Sequence, residues 1–276
     1  MNPVQFVSAT ALMLLPLAAR AEAMEIHWVR GYAEGIKLAR ELSLPALVDF
    51  WSASSGACRK MDNDVYRDPK IIRASGRAVF IRVDMDRDRE TPKRLGVGRV
   101  PSLVILDPWE TVLSSKEGHT GAGELLAMLE PLPPSLAPVA HDFEKLRRNE
   151  ADFGALTGIG RFYRRSGFPL VARRFFERAL ASPPAEEDRG AWIEIQIDLG
   201  LVALGLKEYK DARKIFEGLR ENCDPRHEPE VLLGLGRAYA ESDMLKEARI
   251  LFEEVAIRFP KTEYAKVARE NLRLIR

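Results

Sequence analysis

The hydrophobic period of this chain of 276 residues changes once, at Pro131-Leu132-Pro133-Pro134-Ser135-Leu136-Ala137-Pro138. A run so poor in backbone donors suits neither a helix nor a central strand. Before it, short apolar runs alternate with helix-period segments, the pattern of an α/β layer fold. After it, from about residue 143 onward, the period is uniformly helical. The length allows two domains, each with its own core. The expected division is an export signal at 1–23, an α/β domain at 24–130, a proline-rich linker at 131–140 and an all-α domain at 141–276.

Residues 6–19 are apolar, broken at Pro16, and followed by Ala19-Arg20-Ala21 and Ala21-Glu22-Ala23, both small-x-small cleavage signatures. The five residues before them carry no basic side chain, but the run is shorter than the roughly 20 residues a membrane span needs. The expectation is a cleaved signal, no stable membrane span after cleavage, and a periplasmic or extracellular location. Export implies an oxidising compartment, where two cysteines usually pair. Cys58 and Cys223 fall in segments of different type, and two separate thiols are expected.

Within the first domain, Ile36, Leu38, Ala39 and Leu42 mark a helix over 32–42, and Leu47, Val48, Phe50 and Trp51 mark a strand. Cys58, with Arg59 and Lys60 beside it, opens a helix after a turn of small residues. Asp68-Pro69 caps a second helical piece. Further strands are expected at 79–85, 102–106 and 111–113, with helices at 89–95 and 123–129. A cysteine in a first helical turn is placed where unpaired N–H groups and the helix dipole favour thiolate.

Asp49-Phe50-Trp51, followed by Ser54-Ser55-Gly56-Ala57-Cys58, resembles the active-site segment of thioredoxin, in which Trp-Cys-Gly-Pro-Cys follows a strand ending in Asp-Phe-Trp. In that alignment Ser54 replaces the second tryptophan, Ser55 the first cysteine and Ala57 the proline; Gly56 is retained and Cys58 is the second cysteine. The segment 62–69 and the run Val83-Asp84, Leu95-Gly96-Val97, Val100-Pro101-Ser102 extend the resemblance. They are similar to exported thioredoxin-like domains such as the periplasmic C-terminal domain of the transmembrane thiol–disulfide interchange reductase. The resemblance implies that Pro101 is a cis-proline beside the active-site position and that Val100 lends its backbone to a bound extended segment. It also makes Asp49 the buried acid beneath the second cysteine, either a proton shuttle or a structural carry-over.

A serine hydroxyl cannot attack a disulfide at neutral pH, and exchange needs one thiolate to attack and a second thiol to resolve. Cys58 alone supports at most a mixed disulfide or a sulfenic acid. Dithiol turnover is therefore not expected, and Cys58 and Asp49 stand as a candidate redox remnant rather than an assigned catalytic pair.

The second domain repeats itself. Ile159-Gly160, Tyr163, Gly167, Ala172, Phe176, Ala179 and Pro184 are followed at matching spacings by Leu199-Gly200, Ala203, Tyr209, Ala212, Phe216 and Leu219. Leu235-Gly236, Tyr239, Ala248, Phe252, Val255 and Pro260 complete a third set. Small residues let two helices approach, and aromatics fill the space between them. The pattern resembles the tetratricopeptide repeat, with longer connections at 183–190 and 222–230 and a capping helix over 265–275. The resemblance implies a groove that takes a protein partner or peptide. Arg161, Arg164 and Arg165 on one first helix are the candidate partner-binding side chains, or else a solvated face.

Lysine plus arginine (42) balances aspartate plus glutamate (41), so no global field argues for nucleic acid. The 4 histidines are scattered, no metal-ligand spacing is present, and neither a metal nor a cofactor is expected. The expectation is an exported adaptor or scaffold, binding rather than catalytic. The alternative is a monothiol oxidoreductase or redox chaperone acting through Cys58, and a third arrangement has a heterodimer partner supply the missing thiol. The oligomeric state is not readable from the sequence.

Overall fold

The computed structural model describes residues 25–275, so the expected export signal lies outside the described residues. The chain divides into two compact units at Leu136/Ala137. The first holds β1 (Trp28–Arg30), α1 (Tyr32–Leu42), β2 (Ala46–Trp51), α2 (Gly56–Asp64), α3 (Pro69–Ala74), β3 (Val79–Asp84), α4 (Glu90–Arg94), β4 (Ser102–Leu106), β5 (Val112–Glu117) and α5 (Ala122–Leu129). The strands form one sheet in the order β1-β3-β2-β4-β5. β1 and β2 run parallel to β3, whereas β4 is antiparallel to β2 and β5 antiparallel to β4.

Side chains alternate across a strand, so β2 sends Ala46, Val48 and Phe50 to one face and Leu47 and Asp49 to the other. The first face joins Tyr32, Ile36 and Ala39 of α1 in a core with Ile81, Val83, Val104 and Leu106. Gly35 makes this close packing possible: a Cβ there would lie 2.3 Å from Ile81 Cδ1. The second face carries Asp49 towards the side that α2 covers through Asp62, both carboxylates meeting Arg82.

Several elements differ from the sequence expectations in extent or existence. β1, too short to show a period, was not anticipated, and β5 runs through Glu117, its polar residues (Ser114, Ser115, Lys116) being typical of an edge. α2 begins at Gly56, two residues before Cys58. The expected linker is shared between the units. Leu132 and Leu136 are buried, the Leu136 N–H donates to Ser43 O at 2.7 Å, and Arg77 donates to the carbonyls of Leu129, Glu130 and Leu132. A helix then starts at Ala137; Pro138 sits in its first turn, where a missing N–H costs nothing.

The second unit is all helix: α6 (Ala137–Arg148), α7 (Phe153–Arg165), α8 (Pro169–Leu180), α9 (Pro183–Glu187), α10 (Arg189–Gly205), α11 (Tyr209–Asn222), α12 (Glu228–Ala240), α13 (Leu245–Arg258) and α14 (Glu263–Leu274). The short α9 occupies the first of the two long connections. α7–α8, α10–α11 and α12–α13 are three hairpins of one design. In each, a Cβ added to the glycine of the first helix would lie 2.6 Å from a buried ring of the second: Gly160 on Phe176, Gly200 on Phe216, Gly236 on Phe252. The turn between the helices holds one residue at positive φ each time, Gly167 (83°), Lys207 (62°) and Asp243 (61°). Arg173, Arg213 and Arg249, each next to the small Ala172, Ala212 or Ala248, reach onward to the Glu208 carboxylate, Met244 Sδ and Ile275 O respectively.

Candidate functional site

The small residues after β2 form a tight turn in which the Ser55 N–H donates to Ser52 O. Ser55 is the N-cap of α2, in extended backbone conformation, and its Oγ accepts the Cys58 N–H at 3.3 Å. Serine is among the best residues for that position, because its oxygen satisfies a donor the first helical turn leaves unpaired. Gly56 and Ala57 are exposed, whereas Cys58, third in the helix, is only 3 % exposed and unpaired. The one sulfur of the segment is thus turned into the protein, and its backbone donor is taken by the hydroxyl of Ser55.

Around this turn Ser52, itself buried, donates to Asp86 Oδ2 at 2.6 Å and shares a hydrogen bond with Ser54 Oγ at 2.7 Å. The Val100–Pro101 peptide is cis, as the resemblance implied, and Pro101 is buried.

Beneath the sheet's second face lies a cluster that the sequence revealed only in part. Asp49 is 2 % exposed and pairs with Arg82 Nη2 at 3.0 Å; the same nitrogen reaches Asp62 Oδ1 at 2.6 Å. Asp49 and Arg82 are register partners on β2 and β3. The guanidinium lies 4.1 Å from the Trp28 ring centroid and 5.4 Å from those of Trp51 and Tyr66. Burial raises the Asp49 carboxyl to about 6 despite the opposing pull of Arg82. Burial and the Asp49 charge push Tyr66 well above its ordinary range, its hydroxyl adjoining Asp49 without a hydrogen bond of normal geometry. Burial works against the Arg82 charge, but Asp49 and Asp62 more than offset it and hold its pKa above the usual arginine value. Asp62 lies one helical turn beyond Cys58 on α2, so the cluster ties down the helix face that carries the thiol. The sequence signal for Arg82 was a lone charge inside the apolar run Val79-Phe80-Ile81-Arg82-Val83.

The three candidate arginines of the helical unit separate. Arg161 Nε meets Asp198 Oδ2 at 2.6 Å and its Nη2 meets Glu194 at 3.1 Å, and Arg164 meets Asp198 Oδ1 at 3.3 Å. Asp198, on α10, is buried, so these two arginines join α7 to the next hairpin; they do not form a free basic patch. Arg165 is exposed and makes no ion pair among the described residues. Among the described residues no three His, Cys, Asp or Glu side chains are grouped to hold a metal, and no helix is long and apolar enough to cross a membrane.

The sheet order, the capped helix after β2 and the cis-proline before β4 define the N-terminal unit as a thioredoxin-like α/β fold, followed by an all-helical region. The family model for thioredoxin matches residues 36–130. Similar solved structures include a thioredoxin from Thermus thermophilus, 26% identical over 39% of this chain and 86% of that one, with a TM-score of 0.36. A mutant thioredoxin from Halobacterium salinarum is 20% identical over 40% of this chain and 92% of its own, TM-score 0.34. That from Malassezia sympodialis is 19% identical over 38% and 88%, TM-score 0.32.

Proposed function

We propose that this protein is an exported adaptor of the bacterial envelope, in which a thioredoxin-like domain without dithiol turnover is joined to a tetratricopeptide array that binds a protein partner. One observation carries the first half. The position from which an attacking thiolate would act is held by Ser55, engaged as a helix cap, while Cys58 is sealed from solvent. Exchange chemistry needs an accessible thiolate and a resolving thiol. The recurring Gly–Phe contact and left-handed turn of the three hairpins support the second half, since arrays of such units present extended binding surfaces. The burial of Cys58 weighs against the alternative of a monothiol oxidoreductase or redox chaperone.

The test is reduction of an insulin-type disulfide substrate by the purified chain with excess reductant. Rates equal to the reductant alone are expected, and multiple turnovers would refute the proposal. The binding half predicts a stoichiometric complex on affinity capture with the mature chain, retained by Cys58→Ser; loss of that complex in the variant would favour the monothiol reading.

A further inference from the structure

One stripe of each hairpin's first helix faces the helix that precedes it. In the second and third hairpins this stripe is covered: Val202 of α10 and Ala238 of α12 are fully buried. Their counterpart in α7 is Phe162, at the same steps along the chain that relate Gly160, Gly200 and Gly236, and Phe162 is only half-buried. A second difference lies one turn earlier on the stripe. In α12, Gly234 receives the Phe216 ring of the preceding helix, which lies 2.5 Å from where a Cβ would stand. The counterpart in α7 is Gly158, and α6 brings no ring to it; the nearest atom is Asp142 Oδ2, 2.6 Å from the Cβ position. An open cleft of about 360 Å³ is left there, lined by Val139, Asp142, Gly158, Phe162, Arg165 and Ser166.

We propose that this cleft is a docking slot for an aromatic side chain of a protein partner, presented beside an acidic residue that pairs with Arg165. The lining supplies the aromatic: the Asp142 carboxylate stands over Gly158 where the Phe216 ring stands over Gly234, and beside it Pro138, Val139 and the half-buried Phe162 form an apolar wall with a ring for edge contact. Charge supplies the acid. Asp142 is already met by Lys145 at 3.6 Å, whereas Arg165 is exposed and makes no ion pair among the described residues. This inference names the partner chemistry and rests on the partner-binding reading above.

The probe is a fluorescein-labelled peptide, Ala-Glu-Glu-Phe-Ala-Ala with blocked ends, titrated against the full chain by anisotropy. Saturable binding is expected, weakened at least fivefold when alanine replaces the phenylalanine of the peptide. Ser166→Trp, which plugs the mouth of the cleft, should weaken binding as much while leaving the thermal melt unchanged. Arg165→Glu should do the same, with recovery when the peptide's glutamates become lysines. Absence of saturation, equal binding of the phenylalanine and alanine peptides, or indifference to Ser166→Trp would each overturn the slot. Dimers in sedimentation that Ser166→Trp dissolves would assign the cleft to a second copy of this chain, and the partner proposal would fall. Undiminished partner capture by Ser166→Trp would sink the slot and leave the adaptor standing; peptide binding with no captured partner would do the reverse.

Discussion

Asp49 and Ser55 each make a contribution to stability that single substitutions can isolate. Asp49 has a folded pKa of about 6 against an ordinary 3.8, so the native state holds its proton more tightly than the unfolded chain does. Its contribution to stability is complete below about pH 4 and is lost as pH rises through 6, on the order of 3 kcal/mol in total. In Asp49→Asn that loss should disappear. The difference between wild type and variant in urea denaturation should therefore shift by about that amount between pH 4 and pH 7.5. A pH-independent difference would show that Asp49 is charged throughout. For Ser55, removal of the cap in Ser55→Ala should cost about 1 kcal/mol, measured by the same denaturation. Ser55→Cys places two sulfurs three residues apart; the prediction is a disulfide with Cys58 on oxidation, read as a fall from three titratable thiols to one, that of Cys223. Persistence of all three free thiols under oxidant would mean that the turn cannot bring the sulfurs together.

Among the helices, the Phe216 ring is held from two sides, by Gly200 of its own hairpin and Gly234 of the next. A methyl at Gly234 would stand 2.5 Å from ring carbons that cannot retreat. Gly234→Ala is therefore expected to destabilise the helical unit by about 1–3 kcal/mol, the usual cost of overpacking, although alanine is the better helix former. Gly218 on α11 has nothing within 4 Å of its Cβ position, and Gly218→Ala should stabilise by about 0.5–1 kcal/mol. Calorimetry of the pair separates packing from propensity; the same sign in both would remove the close-approach argument. The junction of the first two hairpins is built differently. At the register where α12 has Gly234, α10 has Asp198, and two arginines are drawn inward to neutralise it. That is why a cluster of like charges on α7, read from the sequence as a partner surface or a solvated face, became an internal tie.

Across the molecule, each unit has its own core, and the proline-rich joint belongs in part to the first of them. Leu136→Ala should lower the unfolding transition of the thioredoxin-like unit by about 2–5 kcal/mol, as for a fully buried leucine. The transition of the helical unit, reported by Trp192, should stay in place. A coupled shift of both transitions would mean that the two cores do not unfold separately.

Much of this was legible in the linear order. Period alone separated the α/β half from the helical half, because side-chain alternation and helical spacing are local properties of the backbone. The segment 49–58 marked the candidate site, since strand, small-residue turn and cap are contiguous, and the glycine and aromatic spacings marked the hairpins. What remained hidden depends on segments far apart in the chain. Arg82 is the partner of Asp49 only because β3 lies beside β2, and Arg161 meets Asp198 only because one hairpin packs on the next. Whether a charge is exposed or paired is decided by its neighbours in space, and so is whether a glycine's missing side chain is filled by a ring, as at Gly234, by a carboxylate, as at Gly158, or left open, as at Gly218.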